Sequence, residues 1–529
     1  MNSLQVSTAW YPTPSAAQRT LAQNRVPQLE RSATAFVQIK RVWLLAITAV
    51  VVLLSGCTTA DFARSVKQAN EDIPGFTQGG LELAQTQEQR EARKQSAQAL
   101  LERPLAQTQA VQLALLNSSA LQVLLAENWS LAAQAAQGGR LSNPVFMLER
   151  MTFTNEFDVV RMLSFGLLDV LTLPARYGIA KTQLELVQVK LASDVVDEIT
   201  RVRQAWVRAV AAQQTLIYAK QVNEVAKVSA ELARRMQSVG NFTKIQRARQ
   251  QAFYADSATQ LALAEHAVTV TREALVRALG LNTQQAQTLK LPDRLVTLPK
   301  APMNPQEVSQ AASTNRLDVK LAQSGVEVAL KKQGLNNVTS FTDIEVGLRQ
   351  ATLGDDIEGS RVQGRGYEVN ITLPIFDFGD MKRDAMSAQT LAALSRLDAA
   401  YQVTASNLRE TYSAYRTNYD VSKHYRQEVV PLRKVISEEN MLRYNGMIIG
   451  VFELLADAKD TVNSVMASIQ ADQQFWLAEA ALQAALLGRP VAAPTERLKP
   501  PASGGSGHVA HSKDQSKYQT QEGCKYECT

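Results

Sequence analysis

The 529-residue chain has little of what enzymes and small secreted domains are built around. It has three cysteines, Cys57 near the front and Cys524 with Cys528 at the far end, so no disulfide framework staples the body between them. Its four histidines, His266, His424, His508 and His511, are too few for the usual catalytic constellations. A phosphate-binding glycine loop, an H-E-x-x-H pair and a nucleophile elbow are all missing. These absences argue against an enzyme. Aromatic residues make up 6% and the formal charge is only +6, with no basic patch interleaved with aromatics, so nucleic acid is not an expected partner. What is there is 45% hydrophobic, enough to bury a large core.

The front of the chain carries an address. Lys40 and Arg41 precede "VWLLAITAVVVLL" (42–54) and then "LSGC" (54–57), which has the charge, short apolar core and small residues of an export signal. A transmembrane anchor is the plain alternative, but this core is too short for a spanning helix, which needs about 20 residues. "LSGC" resembles the lipobox of bacterial lipoproteins, in which the peptide is cut before the cysteine. Cys57 would then carry a covalent diacylglycerol and an N-acyl lipid, the only prosthetic chemistry expected. By the same resemblance, Thr58 in place of an aspartate implies sorting to the outer membrane. Residues 1–56 thus read as a leader and 57–100 as an acylated N-terminal segment. Residues 1–36 lie far upstream of the charged region, which makes Val37 an alternative start.

Residues 179–239 lack both proline and glycine, and such a run would form a helix of roughly 90 Å. Leu184, Val187, Leu191, Val195, Ile199, Val202, Trp206 and Val210 recur at spacings of three and four, as a packing stripe requires. Laid out twice, the chain reads as helix, β-hairpin, long helix, glycine turn, long helix. The first repeat is 101–288, with an opening helix over 104–138, a hairpin at about 142–174 and a helical hairpin at about 178–280. A linker (289–305) leads to the second repeat, 306–488, with a hairpin at about 341–374 and a helical hairpin at about 380–488. Gly240 and Gly446 mark the two helical turns. Residues 489–529 read as a disordered tail.

In the second hairpin Tyr367, Val369, Ile371 and Leu373 fall on one face and Glu368, Asn370 and Thr372 on the other. A half-buried strand in a soluble sandwich shows the same alternation. The strand count decides between them. Four strands cannot close a barrel, for which about eight are the usual minimum, and an open sheet leaves exposed edges. Three copies would supply twelve strands and remove the edges.

"LSNP" (141–144), "RMQSVGNFTKIQRARQQ" (235–251), "NRLDVKLAQ" (315–323), "ITLPIFDFG" (371–379) and "LRYNGMIIGVFELLADAKD" (442–460), in this order and with "LSGC" ahead of them, resemble the TolC-type outer-membrane efflux channel family, in its lipoprotein branch. The resemblance implies a mainly α fold with a β part, closing as a homotrimer into a twelve-stranded outer-membrane barrel continuous with a long periplasmic α-helical barrel. It also implies a role as exit duct for an inner-membrane efflux pump, reached through a periplasmic adaptor. A periplasmic adaptor and a structural coiled-coil lipoprotein are the alternatives. The first should show one helical hairpin rather than two, and the second no two-faced strands.

The family closes its periplasmic end near the helical turns with acidic side chains. The matching positions here are Lys244, Arg247 and Arg249 on the first turn and Glu453, Asp457 and Asp460 on the second, so the first turn is basic where an acidic one is expected. Lys244 or Arg247 paired with Glu453 or Asp457 is the expected latch, against solvated tip charges that contribute little. Pro431 interrupts the second long run and is a candidate hinge, or else a static bend. In the tail, His508, His511, Cys524 and Cys528 are candidate metal ligands, against a passive tail or a disulfide.

Overall fold

A computed structural model describes residues 62–490 apart from 155, 315, 356 and 358. The leader, Cys57 and the tail candidates His508, His511, Cys524 and Cys528 lie outside the described residues. Along the chain come α1 (Phe62–Asp72), α2 (Pro74–Thr77), α3 (Gln87–Leu100), α4 (Gln107–Asn117) and α5 (Ser119–Gly138). Strands β1 (Val145–Thr152) and β2 (Glu156–Gly166) follow, then α6 (Leu167–Ser238), α7 (Lys244–Leu279) and α8 (Thr283–Thr288). The rest is α9 (Pro305–Thr314), α10 (Leu317–Thr339), β3 (Ile344–Asp355), β4 (Arg361–Ile371), α11 (Asp380–His424), a π-helical turn (Tyr425–Val429), α12 (Val430–Asn445) and α13 (Val451–Leu486).

Helix α6 runs for 72 residues, about 108 Å. Its predicted stripe is buried from Leu191 to Val210 against Leu105, Leu113, Leu121, Leu275 and Leu279, so the main core surrounds the middle third of this helix. The Trp206 Nε1–H donates to Leu105 O at 2.8 Å, which lets the ring be buried with its one polar atom satisfied. Residues before the first repeat also join this core through Phe62, Ile73 and Phe76. Gly280 ends α7 at φ +67, where a Cβ would lie 2.8 Å from Ser118 Cα and 2.9 Å from Asn117 O. Only glycine satisfies both the turn and the close approach.

The segment expected as one helix over 104–138 breaks at Ser118, whose hydroxyl accepts from the Leu121 N–H and caps α5. The four strands form one antiparallel sheet in the order β1-β2-β3-β4. β2 and β3 pair from Glu156↔Asp355 to Gly166↔Glu345, which joins the two strand pairs. Within one chain β1 and β4 are edge strands, and β1 is exposed along its whole length.

The first hairpin differs from expectation. Its second strand was read as reaching 174, yet β2 ends at Gly166 and α6 starts at Leu167. From Leu167 the apolar residues stop alternating, and helix contacts take over. Asp169, in the first turn, accepts from Ser142 Oγ and from Arg176 Nη1 at 2.8 Å, holding a carboxylate at the helix N-terminus where the dipole favours it. "LTLP" (171–174) therefore lies inside a helix, whereas Thr372 of "ITLP" still pairs with Asp343 O before Pro374 ends the strand contacts.

Candidate functional site

Strand register divides the sheet into two chemically distinct faces. On one, Ile344 and Ile371, then Phe165, Val346 and Val369, then Phe146, Leu163, Leu348 and Tyr367 form successive apolar rows starting at the helix-bearing end. These side chains are largely exposed, Tyr367 at 81%. Below them the exposed apolar surface continues through Leu373, Ile375, Phe376 and Phe378. A hydrophobic surface of this extent on a described chain marks a contact with lipid or protein. Among the described residues, no single helix is long and apolar enough to cross a membrane.

The other face holds every carboxylate of the sheet: Glu149, Glu156, Asp158, Glu345, Asp355 and Glu368. Its only cation is Arg349, which lies 3.8 Å from Glu368. Small residues share this face, Ser164 opposite Gly347 and Ala351 opposite Gly364. Sequence parity already placed Glu368 and Asn370 together in β4, but the sum over four strands needed the register.

At the helical turns the expected latch does not form within one chain. Arg247 Nη1 donates to Gln237 Oε1 at 2.8 Å, inside its own hairpin, and Asp460 lies 3.7 Å from Arg433, inside the other. Glu453 and Lys244 are exposed, and Lys244 begins α7 beside the capping box of Thr243 and Gln246. Contact between the two tips is instead aromatic, with the Phe242 and Phe452 rings 4.3 Å apart and the Lys459 ammonium 5.3 Å from the Phe253 ring. Asp457 is the exception among the tip acids: it is 8% exposed, and its Oδ2 is buried without a hydrogen-bond partner among the described residues.

The two turns share a backbone design but not a glycine. Gly240 has φ +82, with the Asn241 N–H reaching back to Met236 O at 2.9 Å. In the second turn the same six-residue closure runs from Ile448 N–H to Arg443 O at 2.8 Å. There the left-handed position is Met447, at φ +60, while Gly446 sits at φ −78. The turn role assigned to Gly446 thus belongs to the residue after it.

Pro431 lies at the second residue of α12, directly after the π-helical turn. A proline offers no N–H to the preceding turn, and the wider π turn absorbs the mismatch, so the helix continues rather than breaking. This irregular turn is tied to α13. Asp472, 3% exposed, accepts from Arg426 Nε at 2.9 Å and Nη2 at 2.7 Å, and from Ser422 Oγ. Arg426 and Asp472 are 46 residues apart, and nothing in the sequence pairs them. Among the described residues no group of three or more His, Cys, Asp or Glu is arranged to hold a metal ion.

No family model matches the chain, and no curated protein matches it in sequence. Solved structures do match. The Campylobacter jejuni CmeC outer membrane channel is 16% identical, with 72% of this chain and 86% of that chain covered and a TM-score of 0.62. A membrane protein from Pseudomonas aeruginosa is 18% identical, covering 72% and 93%, with a TM-score of 0.60. The open state of the Neisseria gonorrhoeae MtrE outer membrane channel is 17% identical, covering 73% and 90%, with a TM-score of 0.54. Mostly helical, with one small antiparallel sheet, the chain has the fold of the TolC-type outer-membrane channels that its sequence resembles.

Proposed function

We propose that the chain is one third of a trimeric exit duct in the outer membrane, passing small molecules or ions delivered by an inner-membrane pump through a periplasmic adaptor. The observation that carries this is the sheet: four strands, two open edges, one face with apolar rows at its helix-bearing end and one face that holds all the carboxylates. Strands of 8, 11, 12 and 11 residues bracket the length that a tilted membrane strand needs, about 9–11 residues. Pairing β4 of one copy with β1 of the next closes twelve strands and leaves no edge. The apolar rows then meet lipid and the carboxylates line a wet lumen. Helices α6 and α11 through α12 form the wall of the periplasmic barrel, with the Phe242 and Phe452 tips at its far end. Cys57, once acylated, tethers the N-terminal segment to the same membrane. The duct does no bond-making chemistry of its own.

A heat-modifiable trimer in outer-membrane fractions, conducting as single channels in planar bilayers, is the expected result. A spin label at Val369 should be shielded by lipid and one at Asn370 reached by water. A monomer without conductance, or a water-exposed Val369, would sink the proposal.

A further inference from the structure

The geometry points to a lipid-binding collar on the apolar face of the sheet, in which Arg150, Arg161, Arg361 and Arg365 hold the phosphate groups of anionic lipids. This rests on the reading that the apolar face meets the membrane.

The strand register puts all four arginines on that face, which has no carboxylate, while the fifth arginine of the sheet, Arg349, lies with the acids on the other side. Composition alone would not separate them so completely. Their height is as specific as their side. Arg161 and Arg365 share the row immediately beyond Phe146, Leu163, Leu348 and Tyr367, and Arg150 and Arg361 occupy the next two rows, toward the strand-to-strand loops. An arginine facing lipid is costly at the bilayer midplane and nearly neutral at the interface. The row of Arg161 and Arg365 therefore marks where hydrocarbon ends in the leaflet farther from the helices.

Among the described residues no carboxylate pairs with any of the four. Arg161 Nη1 touches only Thr352 Oγ1, at 3.5 Å, and the Arg150 guanidinium lies over the Phe157 ring at 5.7 Å. All four are exposed, so a phosphate outside the chain can reach their remaining donors. Four arginines and no lysine suit phosphate, whose oxygens match the planar guanidinium fork. Arg161 and Arg365 stand two strands apart, about 10 Å, a span that one multiply phosphorylated lipid headgroup can bridge. The occupant is accordingly a phosphorylated lipid of the outer leaflet.

The test uses full-length protein in phosphatidylcholine nanodiscs containing a minor share of lipid A, a doubly phosphorylated glycolipid. The lipid A that stays with the protein after detergent extraction is counted by native mass spectrometry. Wild type should retain it, and Arg161→Gln with Arg365→Gln should lower retention by about tenfold. Adding Arg150→Gln and Arg361→Gln should lower it further. Arg349→Gln, on the opposite face, should retain lipid A as wild type does. Equal retention in the double and fourfold variants, or an equal loss with Arg349→Gln, overturns the collar. The spin label at Val369 separates the two levels: shielded with no arginine dependence, only the collar fails, whereas a water-exposed label removes the membrane reading beneath it.

Discussion

Removing the Asp472 carboxylate should loosen the second helical hairpin and, on the exit-duct reading, raise the resting leak of the duct. Asp472 is almost wholly buried and receives three charge-assisted or hydroxyl contacts, from Arg426 in the π turn and from Ser422 just before it. Breaking a buried ion pair by deleting one partner costs about 3–5 kcal/mol. The Arg426 side chain is 32% exposed and can turn toward water, so Asp472→Ala should cost less than that, about 2–3 kcal/mol. Asp472→Asn keeps one oxygen acceptor and should lose about half as much. Both can be read from thermal or denaturant unfolding of the detergent-solubilised protein. If the clamp exists only in the closed state, a loss of about 2 kcal/mol shifts the closed-to-open ratio by roughly thirtyfold, and single-channel recordings would show it directly. The Arg426→Met and Asp472→Leu double-mutant cycle isolates the pair itself. A coupling energy below about 0.5 kcal/mol, or an unchanged leak in Asp472→Ala, would refute the idea that this clamp governs the bend beside Pro431.

The helical turns give a paired test: Met447 is 94% exposed at a positive φ, so Met447→Gly should stabilise the second tip by about 0.5–1 kcal/mol, read as slower amide exchange there. Gly240→Ala meets no atom within 4 Å and should cost about 1 kcal/mol from backbone strain alone. Replacing Glu345 and Glu368 by glutamine should reduce cation preference in bilayer recordings, and unchanged reversal potentials would remove the acidic lumen. Asp457→Asn should alter leak or ion preference if a neighbouring copy supplies the missing partner, and a wild-type channel would show that Asp457 is only packed. A stop codon between positions 1 and 37 should leave the protein expressed if Val37 is the true start, and its loss would remove that start.

Much of the architecture could be read from patterns that a short window contains. The proline- and glycine-free stretch beyond residue 178 had to be a long helix, and the stripe from Leu191 to Val210 named its buried side because a helix has a fixed period. The alternation in β4 likewise separated Glu368 from Tyr367 without any knowledge of neighbours. What stayed hidden depends on distance along the chain. Arg426 and Asp472 meet because the π-helical turn packs against α13, and Phe242 reaches Phe452 because two tips lie side by side. Oppositely charged tips invited an ion-pair latch, but exposed charges gain little from such pairing, and within one chain Arg247 turns to Gln237 and Asp460 to Arg433.

The repeated tetrads "LTLP" and "ITLP" show how the same local code is overruled. Each pairs a β-branched residue with a proline after alternating apolar positions, and by propensity alone both end a strand. In the second half Thr342 Oγ1 donates to Thr372 O at 2.7 Å, and the Thr372 N–H finds Asp343 O, so an extended partner is present and the strand holds to the proline. In the first half Thr172 Oγ1 donates to Leu168 O at 2.7 Å within its own helix, and Asp169 holds that helix three residues after the strand has ended. Propensity is a weak prior, and a first-turn carboxylate on the helix dipole, worth about 0.3–1 kcal/mol, is enough to tip it. Exchanging Asp169 for alanine should therefore fray α6 back toward Pro174, visible as faster amide exchange over 167–173, while protection beyond Ile179 stays unchanged. Equal protection across 167–173 in the variant would mean that tertiary packing, not the Asp169 carboxylate, chose the helix.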